Sequence, residues 1–429
     1  MPATWAEPAT LALMLACFGG LAVGARWPIG VALTVAAFVG ATVNGHLFPL
    51  RHLVEGAFSY LDPIMVIATA MVFMRALADG GALASVGSWV ERRLGHRLLL
   101  LLPALMLIVM FPGMITGSST ASVLTTGAMG ASILVGLGLA AERAAAIAAM
   151  GGILGMIAPP INIPAMLIGT GIDLPYVGFG APLAIVAFPV ALAVVYGLGW
   201  PLVARRPTGD RTGTARLVNE ESPIPLWRAL LGPVVAASLM LAPRIWPLHV
   251  PDPGLPLTFL AAAAITAAGA RRFAIGASAL RAVEESLPVL GILVGVGAFI
   301  QVMTLTGGRG WLVALMLGAP SWAIVGAAAV SMPLFGAVSA FGSASVLGVP
   351  FLLASIGNNE VVTTAGLSML AGVGDLMLPA AIAATLAAQV AGVGDRRRVL
   401  RLCVLPAILT VAVAVAMLVA APSLGRLLR

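Results

Sequence analysis

Apolar runs of roughly 15 to 25 residues follow one another along almost the whole chain. Each has about the length an α-helix needs to cross about 30 Å of hydrocarbon. A chain with so many such runs cannot bury them in one soluble core. It needs a bilayer to cover them. A membrane β-barrel would instead show short segments of alternating polarity, and the sequence contains none. Charge agrees: 9% of the 429 residues are charged, where soluble domains carry about 25%. The expected class is an all-α polytopic membrane protein, multi-pass in a bacterial inner membrane and in contact with lipid throughout.

The apolar passes fall at 8–25, 28–45, 61–78, 98–115, 144–172, 180–203, 229–242, 255–270, 287–306, 321–338, 361–393 and 399–422. Two further segments, 117–138 and 340–357, are rich in Gly, Ser and Thr and too interrupted for simple lipid-facing spans. They are expected to be re-entrant hairpins. The pass 144–172 is broken by Pro159, Pro160, Asn162 and Pro164, since three prolines in six residues cannot continue a helix. The pass 361–393 is broken around Gly372, Gly374, Asp375 and Pro379. The N-terminus has no basic region before its first apolar run and no evident cleavage site, so that run is expected to stay as a membrane helix.

Features recur in order across the two halves. Asp79-Gly80-Gly81 is echoed by Thr306-Gly307-Gly308. Gly117-Ser118-Ser119-Thr120-Ala121-Ser122-Val123-Leu124 is echoed by Gly342-Ser343-Ala344-Ser345-Val346-Leu347. Gly152, Gly155 and Pro159 are echoed by Gly372 and Pro379. The order predicts an internal duplication: a first membrane repeat over 1–203, a polar cytoplasmic loop over 204–228, and a second repeat over 229–429.

The basic residues, all arginine, decide the orientation, because cytoplasmic loops collect them. If 98–115 and 321–338 enter and fold back on one side, each half crosses about five times. The odd number inverts the second half. That arrangement puts 17 arginines inside and 5 outside. Arg75, near the inner end of its pass, is expected to snorkel. The fold expected is therefore two inverted repeats, each with about five crossings, a re-entrant hairpin and a broken helix.

Such repeats build secondary transporters, because a broken helix frees backbone groups at the bilayer midplane that must line a cavity or bind something. Half-helix N-termini attract an anion, and freed carbonyls suit a small cation. The candidate substrate- and ion-binding residues are Ser118, Ser119, Thr120 and Ser122 at the first hairpin and Gly155, Pro159, Pro160, Asn162 and Pro164 at the first break. Their second-half counterparts are Gly342, Ser343 and Ser345, then Gly374, Asp375 and Pro379. Hydroxyl clusters also serve helix packing, and Asp375 could instead cap a helix end. An acidic residue inside a membrane pass is nonetheless a functional candidate by default. No enzyme is expected: G-x-S-x-G, H-E-x-x-H, Walker and CxxC patterns are all missing. No histidine lies in a pass to serve a serine protease, and the scattered His46, His52, His96 and His249 suggest no metal centre. Cys17 and Cys403 suggest no disulfide, and short arginine loops between spans suggest no nucleic-acid partner.

The stretch Gly117-Ser118-Ser119-Thr120-Ala121-Ser122, then Glu142-Arg143-Ala144-Ala145-Ala146, then Gly152-Ile153-Leu154-Gly155-Met156-Ile157-Ala158-Pro159-Pro160-Ile161-Asn162-Ile163-Pro164 resembles the large permease subunit of TRAP (tripartite ATP-independent periplasmic) transporters. Asp79-Gly80-Gly81-Ala82-Leu83-Ala84, Leu305-Thr306-Gly307 and the chain length fit as well. The second half departs from that family's pattern at Phe341-Gly342-Ser343 and Met377-Leu378-Pro379. The resemblance implies Na⁺-coupled uptake of a small organic acid by elevator-type movement, with Na⁺ as coupling ion and no other cofactor. Na⁺ is expected at Ser118, Ser119, Gly155, Ser343 and Asp375; the resemblance carries over the first three, while Ser343 is the echo of the first hairpin and Asp375 an intramembrane carboxylate that could bind Na⁺ or carry a proton. The resemblance also implies a small four-helix permease partner and a periplasmic binding protein that delivers the carboxylate. Two alternatives stand beside it: a self-sufficient ion-coupled organic-anion carrier, and a non-transporting membrane scaffold subunit.

Overall fold

The computed structural model describes residues 6–204, 224–270, 274–355 and 357–427. Most of the polar segment 204–228 therefore lies outside the described residues. What is described is all α-helical, and eight of its helices are long and apolar enough to cross a membrane.

In chain order the first half contains α1 (Ala6–Gly24), α2 (Ile29–Val43), α3 (Leu50–Ser59), α4 (Leu61–Asp79), α5 (Ala82–Leu94), α6 (Leu98–Thr116), α7 (Ser119–Gly136), α8 (Ala141–Ile157), α9 (Ile163–Thr170) and α10 (Gly180–Ala204). The second half contains α11 (Leu226–Ile245), α12 (Gly254–Gly269), α13 (Ile275–Leu305), α14 (Gly308–Leu317), α15 (Ser321–Gly336), α16 (Ala340–Ala354), α17 (Glu360–Val373), α18 (Ile382–Val390) and α19 (Arg396–Leu427). The elements recur in the same order. The single difference is that α13 runs unbroken for 31 residues where α3 and α4 are separated at Tyr60.

Matching local geometry marks the correspondence. A left-handed glycine, Gly81 or Gly307, starts the short helix after the long scaffold helix. The first hairpin arm carries a proline, Pro112 or Pro333. A serine, Ser118 or Ser339, caps the return arm by accepting a backbone N–H three residues on. Each return arm then widens into one π-helical turn, at Val123–Gly127 and Ala344–Gly348.

Three sequence expectations change here. The hairpins are not contained in 117–138 and 340–357. Those segments fold as one helix each, α7 and α16, and the other arm is the preceding α6 or α15. Gly117, at φ +63°, reverses the chain between α6 and α7, a backbone state that suits glycine. Secondly, Ser118 corresponds to Ser339 and not to Ser343. The matching Gly-Ser strings suggested the latter, but the capping geometry sets the register. Thirdly, α3, α5 and α14 are helices that no apolar pass predicts, because α3 and α5 are amphipathic and α14 has only 10 residues.

The core sits on the broken helices. Every residue of α8 from Ala144 to Ile157 and of α17 from Val362 to Val373 is buried. A helix apolar all round belongs in the middle of a bundle. Helices α6, α10, α18 and α19 pack around α8, and α9, α15 and α19 around α17. The half-helices are exchanged: α18 packs on α8 and on the first hairpin, while α9 packs on α17 and on the second. A second bundle forms where α13 packs against α2, α3 and α4, with α12 on α4 and α11 on α12. Its helices cross at glycines. A Cβ on Gly30 would strike the backbone of Gly291, one on Gly295 that of Gly30, and Cβ atoms on Gly56 and Gly297 would each strike the other's backbone.

Candidate substrate and ion site

A cavity of about 520 Å³ opens where the two bundles meet. The first hairpin presents Ser118, Ser119, Thr120, Leu124 and Thr125 to it. The second presents Val338, Ser339, Ala340 and Phe341. The breaks contribute Met156 on one side and Asp375 and Ile382 on the other. The opposite wall is α4 and α13, with Ile67, Met71, Met74, Arg75, Glu285, Ser286, Val289 and Ile292.

The geometry of each tip follows from its cap. Ser118 and Ser339 adopt extended backbone, and each hydroxyl accepts from the third residue on, Ala121 at 3.3 Å and Gly342 at 3.0 Å. The first amides of α7 and α16 therefore begin at the cavity wall. Two helix N-termini thus face one space, which favours an anion there.

Asp375 sits in a single 3₁₀ turn, Gly374–Leu376, that ends α17. The Ser119 hydroxyl donates to its carboxylate across 256 positions of sequence. A residue from one hairpin and one from the other repeat's break thus form a pair of oxygen groups on the cavity. A carboxylate with neighbouring hydroxyls is hard-oxygen chemistry, which suits a small cation or a proton.

The remaining expected site residues lie elsewhere. Ser122 is buried between the arms of the first hairpin, where its hydroxyl accepts from the Gly113 N–H at 2.6 Å. Ser343 does the corresponding work in the second hairpin, donating to the Met332 carbonyl at 2.6 Å. Ser345 and Gly342 are buried behind the tip. Gly155 and Gly374 hold equivalent positions at the ends of α8 and α17. A Cβ on Gly155 would strike the backbone of Met110, and one on Gly374 that of Gly336, so both glycines let a broken helix touch its hairpin. The Gly155 carbonyl also accepts from Ala158 at 3.1 Å.

The first break is a closed hydrogen-bond clasp. Asn162 caps α9, its Oδ1 accepting from Ala165 at 2.9 Å, and its Nδ2 donates to the Ile157 carbonyl at 2.9 Å and to Ser368 Oγ at 2.8 Å. The Tyr176 hydroxyl accepts from the Asn162 N–H at 3.0 Å and donates to the Pro160 carbonyl at 3.1 Å. Pro164 fits the first turn of α9, where its missing N–H costs nothing. Each break contains a cis X–Pro bond, at Pro160 and Pro379. Of the five positions expected to hold Na⁺, the cavity therefore brings together Ser118, Ser119 and Asp375, and Gly155 and Ser343 stand apart from it. Among the described residues no cluster of His, Cys, Asp and Glu could hold a metal ion by itself.

Two participants carry no sequence signal that marks them. Ser339 is one. The other is the pair Arg75 and Glu285: Arg75 binds Glu285 on the cavity wall, with Nε donating to Oε2 at 2.8 Å.

No protein-family model matches the chain, and neither does any characterised protein by sequence. Solved structures do match. Neisseria gonorrhoeae MtrF, described as illuminating a class of antimetabolite efflux pumps, aligns with a TM-score of 0.57 at 15% identity over 91% of this chain and 94% of its own. The Alcanivorax borkumensis YdaH transporter, described as having an unusual topology, aligns with a TM-score of 0.54 at 16% identity over 88% of each chain. The fold is thus that of known polytopic membrane transporters.

Proposed function

We propose that the chain is an ion-coupled secondary transporter of small organic carboxylates that works, like TRAP-type permeases, by elevator movement of the hairpin bundle against the α4–α13 bundle. The observation that carries this reading is the convergence of both hairpin caps and Asp375 on one cavity between the bundles. The two helix N-termini supply the anion's attraction. Ser119 and Asp375 supply oxygen ligands for Na⁺, with Ser118 beside them. The partners proposed are a small four-helix permease subunit and a periplasmic binding protein.

A second reading is favoured by the end-to-end likeness to MtrF, which covers nearly all of both chains. On it the same cavity and coupling belong to a self-sufficient carrier, and export is as open as import.

Reconstitution in proteoliposomes separates these. Transport of labelled carboxylates driven by an imposed Na⁺ gradient, with and without the partner proteins, is the expected result. Transport indifferent to both Na⁺ and pH gradients would remove the coupling. Full activity of the lone chain would remove the tripartite form.

A further inference from the structure

Among the described residues, the one basic side chain on the cavity wall is engaged by a carboxylate from its own chain. Arg75 on α4 is 24% exposed, and the edge of its guanidinium, Nε and Nη2, meets both oxygens of Glu285 on α13. That is the two-pronged geometry by which arginine recognises any carboxylate. Glu285 is the more exposed partner at 41%, so it sits on the open side of the pair. A third group keeps Arg75 balanced if Glu285 leaves. Asp79, one helical turn further on, lies 3.6 Å from Arg75 Nη1 and 3.9 Å from Arg281 Nη1, and accepts from Ser278 Oγ at 2.8 Å.

We infer that Arg75 is a carboxylate-binding residue of this cavity and that Glu285 is a built-in surrogate ligand which a substrate carboxylate displaces. A partly exposed ion pair is worth little, so exchange costs little. Glu285 swings to water, the incoming carboxylate takes its two hydrogen bonds, and the charge count around Arg75 is unchanged. Because Arg75 belongs to the α4–α13 bundle and the hydroxyl tips to the other, an anion can be handed between the two. The inference rests on the carboxylate reading above and adds to it the residue that recognises the charge.

The test uses the purified full chain in detergent, with thermal unfolding read against acetate, succinate and citrate, and succinamide as the neutral control. At least one of the three acids is expected to raise the unfolding temperature of the wild type. Glu285→Gln should reach half-effect at roughly two- to fivefold lower concentration, the size of the competing pair. Arg75→Gln should lose the effect, and Arg75→Lys, which keeps the charge without the fork, should weaken it about fivefold or more. Succinamide should do nothing. The inference is overturned if none of the acids stabilises the wild type, if Glu285→Gln binds no tighter, or if Arg75→Lys binds as the wild type does. Should Arg75→Gln not fold, the lysine and Glu285 variants decide. Carboxylate binding without gradient-driven transport counts against the transporter reading alone. Transport untouched by Arg75→Gln counts against Arg75 alone.

Discussion

Asn162 of the first repeat donates its side-chain amide to the hydroxyl of Ser368 in the second, 2.8 Å away and shut off from solvent. With its bonds to Ile157 and Ala165, the same side chain holds both ends of the first helix break. The break is therefore a rigid joint tied to the opposite repeat.

Removing that joint should cost stability before it costs selectivity. Asn162→Ala leaves the Ile157 carbonyl and the Ala165 amide without their partners, a loss of about 2–4 kcal/mol. A lowered unfolding temperature in detergent is the expected outcome. An unchanged melting curve with reduced transport would make Asn162 a ligand instead.

Ser119 and Asp375 should behave in the opposite way. The cavity can hydrate either residue, so Ser119→Ala and Asp375→Asn are expected to fold normally. Ser119→Ala should weaken the apparent affinity for the coupling ion about tenfold, the worth of one hydrogen bond to a charged group. Asp375→Asn should uncouple transport from the ion gradient. Uptake measured against Na⁺ concentration and against pH checks both and names the ion. Wild-type dependence in both variants would refute the site.

Gly374→Ala should cost about 1–3 kcal/mol by overpacking against Gly336. Gly155→Ala should do likewise against Met110. Gly310→Ala, with open space around it inside a helix, is the control and should cost nothing, or stabilise by up to about 1 kcal/mol. Thermal unfolding of the three side by side is the measurement. Equal curves would mean that the close contacts relax freely.

The two-sided arrangement is tested by labelling. Single cysteines placed at 204–228 and at 396–401, in a chain with Cys17 and Cys403 replaced, are expected to react only from the cytoplasm. Labelling of either stretch from outside would end the inverted-repeat topology.

The sequence disclosed what is unusual inside apolar runs. Pro159, Pro160, Asn162 and Asp375 stand out there, and the structure puts both breaks where they fall. The boundaries of the long helices agree to within a few residues at most ends, though α13 begins well before its apolar run. Long-range pairings left no such trace. Nothing local joins Arg75 to Glu285, 210 positions away, or Ser119 to Asp375. Ser339 escaped notice because a cap is defined by backbone angles, and a matching string four residues later was the stronger letter-by-letter signal. Ser122 and Ser343 read as site residues in sequence, since a hydroxyl buried between hairpin arms and one facing a cavity look alike there.

The widened turns at Val123–Gly127 and Ala344–Gly348 each hold a residue more than an α-helical turn would. One residue is about 100° of helical rotation. Each return arm is therefore wound in two phases. Before the turn, the helix is set by what Ser118 or Ser339 must face. After it, the setting belongs to the packing of Gly130, Ala131 and Leu134, or of Val349 and Leu352. A single deletion inside either turn would rotate one phase against the other, and swing a packed face out toward lipid without altering a single side chain at the tip.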